Sequence, residues 1–165
     1  MTIGRNKKGL GLGFFNAVTG ESYAKLENKE TGKKRSVLVD PLTNFNVLVV
    51  DQNLKNNSNI NFTNTNVIRA KDGRDANVSG LSVSLRDKTN TYQFSGFGSM
   101  NAIFTEEEGK NEISTGYKYN LSLAKVSGTW QYGLARTVES YDYDINDLGY
   151  LEAPNEISHE GWLSL

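Results

Sequence analysis

The sequence predicts an all-β fold, an antiparallel up-and-down meander of about eight strands that forms a segment of a transmembrane β-barrel. Three observations predict it. Bulky apolar residues alternate with small or polar ones along many short segments. The connections between those segments alternate short and long, as when tight turns lie on one side of a membrane and larger loops on the other. No stretch has helical periodicity, and no apolar run approaches the roughly 20 residues of a membrane helix.

The elements follow in order. Residues 9–18 place Leu10, Leu12 and Phe14 on one face, with Gly11 and Gly13 opposite. A long connection over residues 19–44 carries its own small hairpin, with arms at 22–27 and 35–39. Residues 45–54 begin as an apolar run and decay into Asp51, Gln52 and Asn53. Residues 59–69 start with Ile60 and Phe62 on one side, but Asn64 and Asn66 follow on that same side. Either a bulge flips the register there, or that face does not meet lipid at that depth.

Residues 77–85 set Leu81, Val83 and Leu85 against Gly80, Ser82 and Ser84. Residues 91–100 set Tyr92 and Phe94 against Gln93 and Ser95. Over 117–124, Tyr117, Tyr119, Leu121 and Leu123 alternate with Lys118, Asn120, Ser122 and Ala124. Over 130–138, Trp130, Tyr132, Leu134 and Val138 alternate with Gln131, Gly133, Ala135 and Thr137. Arg136 interrupts that bulky face near one end, where its stem can snorkel to an interface. A final strand is expected from Trp162.

Residues 55–58, 87–90 and 126–128 read as the short turns, and 70–76, 102–112 and 140–161 as the longer loops. Phe14, Phe45, Tyr92, Phe104, Tyr117, Trp130, Tyr141 and Trp162 lie toward strand ends, as in an interfacial aromatic girdle. A soluble β-sandwich also alternates apolar-in and polar-out, so a carbohydrate-binding sandwich module is the alternative architecture.

Composition narrows the chemistry. A net charge of -1 over 165 residues gives no electrostatic case for nucleic acid. Cysteine is absent, which removes disulfides, thiolate metal sites and thiol nucleophiles. Hydrophobic residues make up 37%, which suits a barrel with a polar lumen or a water-soluble β domain.

The best candidate cluster is residues 141–149, YDYDINDLG. Asp142, Asp144 and Asn146 have the spacing of the first three ligands of a calcium loop, so calcium is the candidate cofactor. The remainder departs from that pattern. Asp147 stands where glycine makes the turn, and Ala153 stands where a bidentate Glu closes the shell. The plainer reading is a solvated acidic turn. His159 is the single histidine and reads as a surface residue between Glu156 and Glu160. The acidic run 106–108 reads as a solvated loop tip, and the basic stretch 29–35 as a hairpin tip. The glycine pairs at 11/13 and 96/98 lack the helix a phosphate loop requires, and read as room for a neighbouring large side chain. A glycoside hydrolase would need two carboxylates about 5–10 Å apart, such as Asp142 or Asp144 with Glu152. No catalytic residue is assigned.

Five phrases taken together carry a family resemblance: KKGLGLGFFNAVTGESYA, VLVDPLTNFNVLVVDQNLKNNSNINFTNTNV, RDANVSGLSVSLRDKTNTYQFSG, GYKYNLSLAKVSGTWQYGL and ESYDYDINDLGYLEAPNE. They resemble a membrane-associated domain of unknown function in large proteins of Bacteroidota-type Gram-negative bacteria. In that family a module of the carbohydrate-binding family 9 type precedes a long C-terminal region expected to form an outer-membrane barrel. The resemblance implies that this chain is an internal fragment, located in the cell outer membrane. It implies outer-membrane lipid, the rest of the parent barrel and a glycan as partners. The sugar-binding and hydrolase labels of such proteins derive from the separate module, so no catalytic residue is carried over.

Overall fold

The computed structural model describes residues 2–70, 74–107 and 110–165. Among them are eleven strands and no helix. The strands are β1 (Thr2–Arg5), β2 (Leu10–Thr19), β3 (Ser22–Glu27), β4 (Lys34–Asp40), β5 (Thr43–Asn53) and β6 (Asn59–Arg69). They continue with β7 (Asp75–Arg86), β8 (Tyr92–Glu107), β9 (Lys110–Lys125), β10 (Gln131–Glu139) and β11 (Ile157–Ser164).

Nine strands form one sheet in the order β1-β2-β5-β6-β7-β8-β9-β10-β11, and β3-β4 form a separate hairpin inside the connection from β2 to β5. Every neighbouring pair is antiparallel. The expected up-and-down meander is therefore present, as an open sheet with β1 and β11 at its edges.

Turn chemistry explains the tight end. In the turn between β5 and β6, Asn56 and Asn57 take positive φ (57° and 53°), a conformation that Asn tolerates better than most residues. Between β7 and β8, the Asp87 carboxylate accepts the backbone N–H groups of Thr91 (2.6 Å) and Tyr92 (2.8 Å). The Thr89 hydroxyl and those amides hold Asp87 below the usual carboxylate range.

Three elements differ from expectation. β1 supplies the ninth strand of the sheet; its TIGR sequence is too short to show a period. Residues 102–112 are not a loop. Residues 102–104 still pair with β7 on one side and β9 on the other, and from Thr105, opposite Glu112, the two strands continue as a projecting ladder. Glu106 and Glu112 sit within it because a two-stranded extension leaves side chains open to water. Glu108 and Gly109, part of the acidic tip, lie outside the described residues. Finally, β11 begins at Ile157 rather than Trp162. After Ile157 it continues with Ser158, His159 and Glu160, which break the apolar pattern because it is an edge strand, where charged side chains are tolerated.

Continuous register assigns each side chain to a face, since directly opposed residues share one. One row across the sheet reads Leu12, Val50, Phe62, Leu81, Gly98, Tyr119, Val138 and Ile157. This is face A. Its large side chains are widely exposed: Met100 is 61%, Leu123 65% and Leu134 70% accessible. Towards β7–β10 the apolar band reaches further toward the short turns, through Leu85, Phe94, Leu123 and Leu134, which are opposed in sequence.

The β5-β6 and β6-β7 ladders run without a break through Asn64 and Asn66. No bulge flips them, so they stand on face A beside Phe62. They belong to an asparagine belt. Asn16 donates to the Oδ1 atoms of Asn44 and Asn46 (2.8 Å each), and Asn64 donates to Asn77 (3.0 Å) and Ser79 (2.8 Å).

The opposite face, face B, is mostly Ser, Thr, Asn and Gly over its middle from β6 to β10, and apolar on β2 and β5 through Phe15, Val47 and Val49. Trp162 of β11 lies across Gly133 of β10, where any Cβ would collide with the indole. The small buried cluster of Val67, Ala76 and Ile103, with Phe45 packed on it, lies on face B toward the long-loop end.

Candidate functional site: a strap over face B

Residues 140–156 connect β10 to β11 and form the longest loop of the long-loop end. Its two ends are tied together. Glu139 donates its N–H to the carbonyl of Glu156 (2.8 Å), and Ser140 exchanges bonds with the Tyr117 backbone (2.8 and 2.9 Å).

The strap lies back over face B. Tyr143 is its apolar anchor, only 3% exposed. Asn101 of β8, 1% exposed, reads the strap backbone with both ends of its amide. Its Nδ2 donates to the Asp142 carbonyl, and its Oδ1 accepts the Asp144 N–H, both at 3.2 Å. On β9, Gly116 provides a bare floor, because the main chain at Asp142 and Tyr143 fills the space a Cβ would need.

The distal half is held by charge. Arg69 at the end of β6 pairs with Asp147 (2.7 Å). Arg74, just before β7, reaches both Asp144 (2.7 Å) and Asp147 (2.8 Å). Arg69 also donates to the carbonyl of Arg74, which joins the two cations into one clasp. Burial pushes the Asp144 carboxyl up, but the Arg74 guanidinium and the Asn146 donors outweigh it and hold Asp144 below the usual range. Burial likewise opposes the Arg74 charge, and its two carboxylate partners more than restore it.

The calcium-spaced residues are therefore placed in the strap but are not arranged as a shell. Asp144 Oδ1 accepts the Asn146 N–H (2.9 Å) and side-chain amide (3.0 Å), while its Oδ2 takes Arg74. The Asn146 side-chain oxygen accepts the Leu151 N–H (2.7 Å). Asp142 contributes its backbone carbonyl to Asn101. Arg74 occupies the position a cation would take beside Asp144. Among the described residues no group of three His, Asp or Glu is placed to hold a metal.

Between strap and sheet runs a groove of about 380 Å³. Arg74, Ile103, Ser114, Tyr141, Asp142 and Glu152 are among its walls. Asp142 and Glu152, one of the carboxylate pairs named from sequence, thus face one space. Asp144 lines it too, already committed to Arg74. His159 is elsewhere, exposed on face A of β11 opposite Arg136. The basic stretch 29–35 closes the β3-β4 hairpin, where the Asn28 side chain caps the turn.

Sequence reasoning missed Arg69, Arg74, Asn101 and Gly116, and read Asp147 only as a departure from the calcium pattern. One signal was available: basic Arg74 in one long connection and acidic Asp144 and Asp147 in another, both at the same end of the meander. Also missed was an interior ion pair at the root of the strap, Lys118 with Glu139, whose second carboxylate oxygen is buried without a partner.

A family model described as Domain of unknown function (DUF5916) matches residues 2–165. No curated protein matches the chain, and no solved structure does.

Proposed function

The chain belongs to the DUF5916 family, and we propose that its nine-stranded sheet is a segment of the wall of an outer-membrane β-barrel. The observation that carries this reading is one-sided exposure. Large apolar side chains stand open to the surroundings across face A of nearly every strand, while face B is mostly polar from β6 to β10, carries ion pairs and is covered by the strap at its long-loop end, with Ile3, Phe15 and Phe97 among its exposed apolar exceptions. Soluble monomers rarely expose an apolar patch beyond a few hundred Å². A bilayer is the solvent that makes such a face favourable, and a polar lumen makes the other face favourable.

The strand directions add a constraint. With nine antiparallel strands, β1 and β11 run the same way. Joining them directly would create a parallel pair. An all-antiparallel barrel therefore takes further strands, odd in number, between these edges, and the rest of a parent barrel supplies them in this reading. The asparagine belt sits toward the long-loop end of face A, at headgroup level, where Asn16, Asn44, Asn46, Asn64 and Asn77 bond one another rather than stand open to lipid, and the Asn66 Oδ1 is buried without a partner.

The role that follows is structural and ligand-handling, with no catalytic step. The long-loop mouth carries the groove, where the Tyr141 ring and the Asp142 and Glu152 carboxylates suit a polyhydroxylated ligand such as a glycan.

The absence of cysteine makes the test direct. Single cysteines at Leu81 and Leu123 (face A) and at Ser82 and Ser122 (face B) are labelled with a fluorophore, and the chain is refolded with lipid vesicles. A lipid-borne quencher should darken labels at 81 and 123 and spare those at 82 and 122. Equal quenching at the two sets, or a cooperative monomeric fold in plain buffer, replaces the barrel with a soluble sheet whose face A packs on a second layer.

A further inference from the structure

We propose that residues 140–156 form a hinged gate over face B, and that the clasp of Arg69 and Arg74 on Asp144 and Asp147 is its lock. The geometry divides the strap into a neck, an anchor and a latch. The neck is fixed by the Glu139–Glu156 and Ser140–Tyr117 bonds. The anchor is Tyr143 with Asn101. Beyond it, Leu148 and Tyr150 are exposed and Ile145 and Leu151 only half-buried, with no fully buried apolar side chain, so the distal half contributes less apolar burial than the anchor. The described contacts from that half to the strands or their connections are the ion pairs of Asp144 and Asp147, the Asp144 N–H bond to Asn101 and the walls of the groove.

A segment with little buried apolar surface and a polar attachment opens at lower free energy than the sheet that carries it. The lock also links separate parts of the chain. Arg69 ends β6 and Arg74 precedes β7, while the acidic partners follow β10. The strap thus spans the intervening β8 and β9 and covers the face-B floor at Ile103 and Gly116. Released at the latch, it swings on its neck and opens the groove. Both cations of the clasp flank one other connection, that between β6 and β7, so events there reach the gate without crossing the sheet. This inference does not rest on what face A meets, because the gate is defined by face B alone.

The test uses thiol access in the full chain. Ile103→Cys places a reporter under the strap, buried in the native protein. Ser122→Cys places a reference on face B at the other end of the sheet. A water-soluble maleimide should modify position 103 slowly. With Arg74→Gln added, that rate should rise about tenfold or more, while the rate at 122 stays within about twofold. Arg74→Lys, which keeps a cation beside Asp144 and Asp147, should keep position 103 slower than Arg74→Gln does. Salt offers a second measurement without altering the clasp: raising it should accelerate position 103 and leave 122 unchanged, since partly exposed ion pairs are screened. An unchanged rate at 103 in both the variant and the salt series overturns the gate. So does equal acceleration at both positions, which would mean the sheet itself had loosened.

Discussion

The backbone of Asp142 lies directly on Gly116, so closely that the strap occupies the volume a side chain at 116 would need. One missing methyl group on β9 thus sets how deep the strap seats. Gly116→Ala should displace the strap, an overpacking cost of about 1–3 kcal/mol, while leaving the meander intact. Hydrogen exchange reads this: the Tyr143 and Asp144 amides should lose protection and those of β5–β7 should keep it.

Asn101 is the strap's two-handed receptor. Its removal leaves a buried carbonyl at Asp142 and an N–H at Asp144 without partners. Asn101→Ala should cost about 1–3 kcal/mol per group stranded from water. Asn101→Asp should be harmful as well, because a carboxylate accepts from Asp144 but cannot donate to Asp142. Denaturant unfolding of the two variants against the native chain checks both.

The clasp has a pH signature. Asp144 is held below its ordinary value chiefly by Arg74, against the opposing effect of burial. A depressed carboxyl contributes stability above its unfolded pKa of about 3.9, and that contribution fades as pH falls through the lower folded value. Strap order should therefore be flat from neutral pH down to about 4 and fail below it. In Arg74→Gln the Asp144 carboxyl should titrate at higher pH than in the native chain, measured by its carboxyl carbon NMR shift.

Lys118 and Glu139 form a pair in the interior of face B, with Glu139 almost fully buried. Lys118→Met strands the carboxylate and should destabilise by about 3–5 kcal/mol, whereas Lys118→Met with Glu139→Leu should recover most of the loss. Thermal or denaturant melts of the single and double variants decide it. Loss in the double variant equal to that in the single would mean the carboxylate is not the cause.

A charge placed on either face separates the two solvents. Leu134→Lys on face A should weaken vesicle insertion by about 2–4 kcal/mol if that position lies near the bilayer midplane, while Ala135→Lys on face B should be tolerated. Partitioning between buffer and vesicles measures both, and equal effects would count against the barrel reading.

The meander was legible in the sequence because a strand writes its two faces with a period of two. Tyr117 to Ala124 and Asn77 to Leu85 show their faces without knowledge of any neighbour, and the Asn56–Asn57 turn announces itself by residues that accept positive φ. The hairpin within residues 19–44 was legible for the same reason. β1 and the first half of β11 were not: an edge strand is held by one neighbour's backbone, so its side chains need carry no pattern. The ladder of 105–112 was masked by charges that an open two-stranded extension accepts freely.

The strap shows where local information ends. Its acidic spacing was visible, and from spacing alone Asp142, Asp144 and Asn146 resembled cation ligands. What their oxygens bind depends on Arg69, Arg74 and Asn101, residues far away in the chain that register brings beneath them. Sequence by itself determined the alternation of faces and the ends at which turns and loops lie, since both follow from local backbone preference and side-chain polarity. Only the tertiary structure decided that the sheet stays open, that the asparagines of β6 share a face with Phe62, and that the longest loop folds back onto face B. Those outcomes rest on contacts between distant segments, whose partners no local pattern names.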